Sequence, residues 1–100
     1  MHVISRKALR EFALIHPDSE ASLDAWFRMA RRVQWKNLAE VRQIYPHADA
    51  VGDCTVFNIR GNHYRLICGI RYERQVIYIK YVLTHKQYDL GGWKNGCEGD

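Results

Sequence analysis

Cysteine is scarce, at three in 100 residues. Cys54, Cys68 and Cys97 stand at wide, unpatterned spacings. An odd count of this kind argues against a disulfide scaffold and against a paired zinc knuckle. Cys54 and Cys68 lie in strand-like sequence and read as small core residues rather than nucleophiles. His63, Cys68 and His85 lack a recognised ligand spacing, so no metal site and no cofactor is expected. No apolar run approaches the roughly 18 residues that span a bilayer, and MHVISRKALREF lacks the apolar core of a signal peptide. A cytoplasmic chain without membrane contact is expected. A Gly-rich phosphate loop, HExxH, GxSxG and CxxC are all missing, which disfavours hydrolysis through a tightly bound metal. Without internal repeats or low-complexity segments, a chain of this length makes one domain.

What is present fits a folded globular chain: 47% apolar and 26% charged residues. Lys and Arg outnumber Asp and Glu by 15 to 11, and the excess is uneven. Residues 60–88 carry Arg60, Arg65, Arg71, Arg74, Lys80 and Lys86 against Glu73 alone. Positive charge gathered on one region attracts an anionic partner, RNA or DNA first and an acidic protein second.

His2–Ile4 can form a short strand before Ser5, a plausible N-cap. Ala8, Leu9, Phe12 and Ala13 recur at helical spacing up to His16-Pro17. Leu23, Trp26, Phe27, Ala30 and Val33 make the stripe of a second helix starting near Asp18 or Ser19. Arg28, Arg31 and Arg32 fall largely off that stripe and read as a solvated face or, as the alternative, a surface contacting RNA or an acidic partner. NLAE at 37–40 has reciprocal-cap spacing and opens a third, shorter helix that ends before Pro46. The aromatic series Trp26, Phe27, Trp35 and Tyr45 reads mainly as packing.

HADAVGD at 47–53 reads as a link, after which the period becomes two. CTVFNIR (54–60), HYRLICGIRY (63–72) and VIYIKYVLT (76–84) form an antiparallel meander with short reversals, and the first strand can add as an edge. The class is therefore α+β, an antiparallel sheet with N-terminal helices packed on one face. Alternation puts Tyr64, Leu66, Cys68 and Ile70 on one face and His63, Arg65, Ile67 and Arg71 on the other, an open face with a partial apolar floor. In the last strand Val76, Tyr78, Lys80, Val82 and Thr84 oppose Ile77, Ile79, Tyr81 and Leu83. Lys80 joins Arg65 only if the registers match.

THKQYD at 84–89 follows that strand. It reads either as a hydrogen-bonded turn or as a working site. Imidazole, at His85, exchanges protons near neutrality; Lys86 offers a cation; the phenol of Tyr88 can stack on a base or position a hydroxyl; Asp89 can orient one of these or cap the next turn. Arginine on an adjacent strand, here Arg65, engages phosphate oxygens with planar donors and stabilises charge gathered in phosphoryl transfer.

VFNIRGNHYRLICGIRY at 56–72 and VIYIKYVLTHKQYD at 76–89 resemble the HigB family of toxins from bacterial toxin–antitoxin systems, within the RelE-like group. HVISRKALREF, HPDSEASLDAWF and WKNLAEVRQIYPHADAV extend the resemblance over about residues 2–90, with GNHYRL and THKQYD its most specific pieces. The resemblance implies a compact RelE-like domain over residues 1–90 that cleaves mRNA, usually on the translating ribosome, without a metal. It also implies neutralisation by a HigA-type antitoxin, with DNA reached only through the antitoxin complex. In such toxins the RNA's 2′-hydroxyl attacks the neighbouring phosphate and the leaving 5′-oxygen receives a proton.

By that resemblance Arg65 matches the phosphate-contacting strand arginine, His85 the basic position at the strand end, and Tyr88 the aromatic position beside the reacting nucleotide. Lys86 is a reserve phosphate contact or acid. Lys36, Arg60, Arg71 and Lys80 are candidate RNA contacts, and Asp89 a candidate orienting residue. The alternative is a noncatalytic relative that binds antitoxin or nucleic acid. A sequence-specific DNA repressor fits less well, because no recognition-helix pair is evident. GGWKNGCEGD reads as a flexible end at 91–100, with Trp93 able to dock, Lys94 to extend the basic surface and Cys97 to stand exposed.

Overall fold

The helical stripes of the first half and the two-residue period of the second separate into two layers of an α+β domain. The computed structural model describes residues 1–98. In chain order they form β1 (His2–Ile4), α1 (Arg6–Ile15), a 3-10 turn (Pro17–Ser19), α2 (Glu20–Arg32), α3 (Leu38–Ile44), β2 (Asp49–Val51), β3 (Cys54–Ile59), β4 (Tyr64–Arg71), a second 3-10 turn (Tyr72–Arg74), β5 (Val76–Thr84), α4 (His85–Leu90) and a third 3-10 segment (Gly92–Cys97). The sheet runs β1-β5-β4-β3-β2. The central meander is antiparallel, and β1 pairs in parallel with β5 at the edge, as the opening His-Val-Ile suggested. The stretch read as a link contains β2, which pairs with β3.

Helices close over one face because their stripes and the even positions of β4 supply one apolar core. Leu23, Trp26, Ala30 and Val41 meet Phe57, Leu66, Cys68 and Ile77 there. Phe57 lies at its centre, with the rings of Trp26, Trp35 and Tyr45 around it at centroid distances of 5.4, 6.1 and 5.4 Å. Burial in this cluster pushes the Cys68 thiol up, away from its reactive thiolate. The Asn37 side chain accepts from the Glu40 backbone N–H, but Glu40 accepts from Lys36 N rather than from Asn37. The reciprocal cap is thus offset by one residue.

Three sequence expectations need correction. First, Ile67 pairs with Tyr81 and Cys68 with Ile79, which leaves Lys80 as an extra residue in β5. A bulge of this kind breaks strict alternation. Val82 consequently joins Ile79 in the helix-side core, while Leu83 joins the opposite face. Second, Cys54 and Cys97 form a disulfide across 43 residues. The spacing gave no hint of it because only the fold carries the chain end back to the first residue of β3.

Third, residues 91–97 pack on the body. Trp93 and Cys97 are buried with Cys54, Val56 and Ile67 in a second cluster on the sheet face away from the main helices. That cluster fills the apolar floor expected to stand open. The final residues of the expected tail, Gly99 and Asp100, lie outside the described residues.

Candidate functional site

At the end of the sheet where β4 begins and β5 finishes, Tyr64 pairs with Thr84 and Arg65 with Leu83. The β3–β4 turn reaches this end through left-handed backbone at Arg60 (φ 51°) and Gly61 (φ 62°), conformations that glycine adopts without strain and arginine less readily. His85 N–H then donates to the His63 carbonyl across 3.1 Å, tying the start of α4 to the turn.

THKQYD is a capped helix rather than a turn. Thr84 Oγ1 accepts from Gln87 N–H at 3.2 Å, and Gln87 Oε1 accepts from Thr84 N–H at 3.0 Å. This capping box satisfies two donors that a helix start would otherwise leave unpaired. Gly91, at φ 78°, ends the helix in the left-handed region. The signal was present in the sequence as Thr-x-x-Gln.

Helical spacing places His85, Tyr88 and Asp89 as neighbours on α4. His85 Nδ1 lies 2.9 Å from Asp89 Oδ2, with the two side chains 46% and 61% exposed. The carboxylate thus lies on the Nδ1 side of the ring, away from Nε2. Nε2 is left to accept a proton when the ring is neutral or to donate one when it is charged.

Arg65 and Tyr88 meet directly, the guanidinium carbon 4.9 Å from the ring centroid. Unlike the open-face arginine expected from alternation, Arg65 is only 8% exposed. Its Nη1 donates to the Asn62 carbonyl at 3.0 Å and to the Tyr64 carbonyl at 3.3 Å, and Nη2 donates to Asn62 Oδ1. Asn62 therefore fixes the guanidinium, a role that its turn position did not disclose. Trp93 stacks on Tyr88 with centroids 5.0 Å apart and planes inclined by 15°, and its indole N–H donates to the Tyr88 carbonyl at 2.9 Å.

The remaining basic candidates scatter. Lys86 is exposed on α4, next to His85. Arg60 sits at the turn, paired with Asp18 at 3.1 Å. Lys80 donates to the Gly96 carbonyl at 2.7 Å and so anchors the C-terminal segment instead of joining Arg65. Arg71 pairs with Val76 at the far end of β4, about 20 Å along the strand from Arg65 at ~3.3 Å per residue. Lys36 precedes α3 beside Trp35, whose carbonyl accepts from Gln75 at that same far end.

A further network beside the turn also escaped sequence reading. Asp18 accepts from the Tyr64 hydroxyl and pairs with Arg60. The Tyr64 hydroxyl first, and then the Arg60 charge, hold its carboxyl below the usual range. Reciprocally, Asp18 raises the Tyr64 phenol. Among the described residues, no group of three or more His, Cys, Asp or Glu side chains is arranged to hold a metal ion.

A family model described as HigB_toxin, RelE-like toxic component of a toxin–antitoxin system, matches residues 19–91. Individual relatives agree. The chain is 32% identical over 93 residues to a protein named mRNA interferase toxin HigB from Escherichia coli strain K12, with 90% of this chain and 89% of the relative covered. Proteins named mRNA interferase HigB from Escherichia coli O157:H7 and Shigella flexneri match with the same identity and coverage. Arg65, His85, Tyr88 and Asp89 lie inside the family match, whereas Trp93 and Cys97 lie beyond it.

Proposed function

The chain belongs to the HigB family of RelE-like toxins, and we propose that it is the toxin of a type II pair that acts as an endoribonuclease on mRNA during translation. The observation that carries the proposal is the convergence at one sheet end of the Arg65–Tyr88 contact and the His85–Asp89 pair. The names of the relatives point the same way. The reaction uses the RNA's own 2′-hydroxyl as nucleophile. Its oxygen bonds to the adjacent phosphorus, the bond from phosphorus to the 5′-oxygen breaks, and the products end in a 2′,3′-cyclic phosphate and a 5′-hydroxyl. No metal-bound water is required.

In this mechanism Arg65 stabilises charge on the phosphoryl oxygens. His85 moves a proton through Nε2, with Asp89 holding the ring. Tyr88 orients the scissile nucleotide or assists in deprotonating the 2′-hydroxyl. Lys86 supplies a phosphate contact or a reserve proton donor. The ribosome presents the mRNA and contributes orientation, so weak cleavage of a naked oligonucleotide is compatible with the proposal. The setting is the cytoplasm, the neutralising partner is a HigA-type antitoxin, and DNA is reached only through the toxin–antitoxin complex.

Controlled production in a bacterial host tests this. Growth arrest, scission of translated mRNA and relief by co-produced antitoxin are expected for the native sequence. Both R65A and H85A should lose scission; H85A should retain a native thermal melt, whereas R65A, which removes a buried guanidinium with three hydrogen bonds, should melt lower yet remain folded. Binding to RNA or antitoxin without any scission would instead identify a noncatalytic member.

A further inference from the structure

The arginine assigned to phosphate in the proposed reaction is covered by Tyr88 of α4, and the C-terminal segment backs that ring through Trp93. A charge-assisted bond to phosphate requires oxygen within about 2.7–2.9 Å of a guanidinium nitrogen. Arg65 has the Tyr88 ring over it and three acceptors from the β3–β4 turn and β4 around it. Tyr88 in turn lies against Trp93, itself 5% exposed.

What holds Trp93 there is specific. Gly91–Cys97 is fixed at one end by α4 and at the other by the Cys54–Cys97 bond. Between them Lys80 binds the Gly96 carbonyl, and Asp53 N–H binds the Cys97 carbonyl at 2.7 Å. Backbone approach is so close at Gly52 that a Cβ there would overlap the Cys97 carbonyl oxygen. With the bond intact, the segment cannot leave without disturbing β3. With it cleaved, only noncovalent contacts retain it, and short terminal segments held in that way open locally at low cost.

Resting on the ribonuclease reading for the significance of Arg65, we infer that Cys54–Cys97 is a redox site. Its oxidised form locks Trp93 over Tyr88 and withholds Arg65 from RNA, and its reduction by a dithiol opens the site. The exchange balances. Both sulfurs are buried in the closed protein, so a dithiol thiolate attacks one of them when residues 91–97 and the start of β3 open together; a mixed disulfide forms, and the second thiol of the reductant displaces the remaining cysteine. Two electrons pass to the bridge, Cys54 and Cys97 take up protons as thiols, and the reductant leaves as its own disulfide.

The test compares the oxidised protein, the same protein reduced with dithiothreitol, a C54A/C97A variant and an oxidised W93A variant. Two readouts are used: the rate of phenylglyoxal labelling at Arg65, mapped by peptide mass, and cleavage of mRNA on translating ribosomes. Labelling should be roughly two- to tenfold faster in the reduced protein, in C54A/C97A and in W93A than in the oxidised protein, the factor expected for losing one aromatic stack. Cleavage should rise in parallel and be lost with H85A in either state.

Equal labelling in the oxidised and reduced proteins overturns the inference, as does continued protection of Arg65 in oxidised W93A. Should C54A/C97A fail to fold, the reduced native sequence carries the comparison. Labelling that responds to reduction while no form cleaves RNA upholds the strap and refutes the ribonuclease reading. Cleavage that is equal in both redox states, or faster in the oxidised state, leaves the nuclease standing and refutes the strap.

Discussion

Removing the Cys54–Cys97 bond by C54A/C97A should cost about 2–4 kcal/mol of folding stability. The bond closes a loop of 43 residues. In the chain-entropy model, a loop of that length loses roughly 13 cal/mol/K in the unfolded state, or about 4 kcal/mol at 25 °C. The lower bound allows for residual structure in the unfolded chain. Both side chains lie buried in the apolar cluster with Val56, Ile67 and Trp93, so truncation to alanine adds a small cavity cost to the loss of the bond. For a domain of this size each kcal/mol moves Tm by roughly 4–8 °C, so a drop of about 8–32 °C is expected. Against a total of about 5–15 kcal/mol, the variant should stay folded at room temperature. Urea unfolding of the oxidised, reduced and C54A/C97A proteins, followed by circular dichroism, measures this directly. The reduced protein should lie well below the oxidised form, with C54A/C97A at or somewhat below the reduced one. Oxidised and reduced midpoints that agree within the error of the fit would refute the reasoning, because a closed loop of this length must restrict the unfolded chain.

Other perturbations separate the core, the cap and the charged network. Phe57→Ala opens a cavity among Trp26, Trp35 and Tyr45 and should cost about 3–5 kcal/mol in urea unfolding; a loss below 1 kcal/mol would mean those rings collapse into the space. Thr84→Ala removes the helix cap and should cost about 1 kcal/mol. Cleavage should fall with it, since His85 and Tyr88 both depend on α4, while Thr84→Ser should restore both. Asp18 has a folded pKa below its unfolded value, so its stabilisation is present above about pH 4 and is lost as pH falls through the folded pKa. Tyr64 has the opposite sign, with its contribution present below about pH 10 and lost as pH rises through the raised folded pKa. Urea midpoints for D18N should therefore lie below the native values by a constant gap at neutral pH, and the gap should shrink in acid; a gap that widened in acid would contradict the assignment.

Much of the fold was legible because local period and tertiary burial agree. The helix stripe through Leu23, Trp26 and Ala30 and the alternation of Tyr64, Leu66 and Cys68 in β4 both face one core. Legibility failed where the determinant was nonlocal. The bulge at Lys80 switches faces in the second half of β5 through its pairing with β4, which alternation alone does not contain. The Cys54–Cys97 bond depends on proximity across the sheet that spacing does not carry, and although the sequence offers Trp93 as a docking residue, it does not say that Tyr88 receives it. Residues of the candidate site were visible as chemistry in Arg65, His85 and Tyr88. Their arrangement was not, because Asn62 engages Arg65 from a turn and Asp89 engages His85 only once α4 forms. That last relation was within reach, since Thr84-x-x-Gln87 marks a helix start and an i,i+4 pair follows from it.

The central claim, that this site cleaves RNA through its own 2′-hydroxyl with His85 moving the proton, is tested most directly by the chemistry of the RNA ends. Reduced native protein and H85A are each incubated with ribosomes translating a defined mRNA, and the new termini are mapped and typed. The native protein should generate 5′-hydroxyl and 2′,3′-cyclic phosphate ends inside the translated region, and H85A should form them roughly 10²–10⁴-fold more slowly while melting as the native protein does. Fragments bearing 5′-phosphates, or native rates of scission by folded H85A, would contradict it.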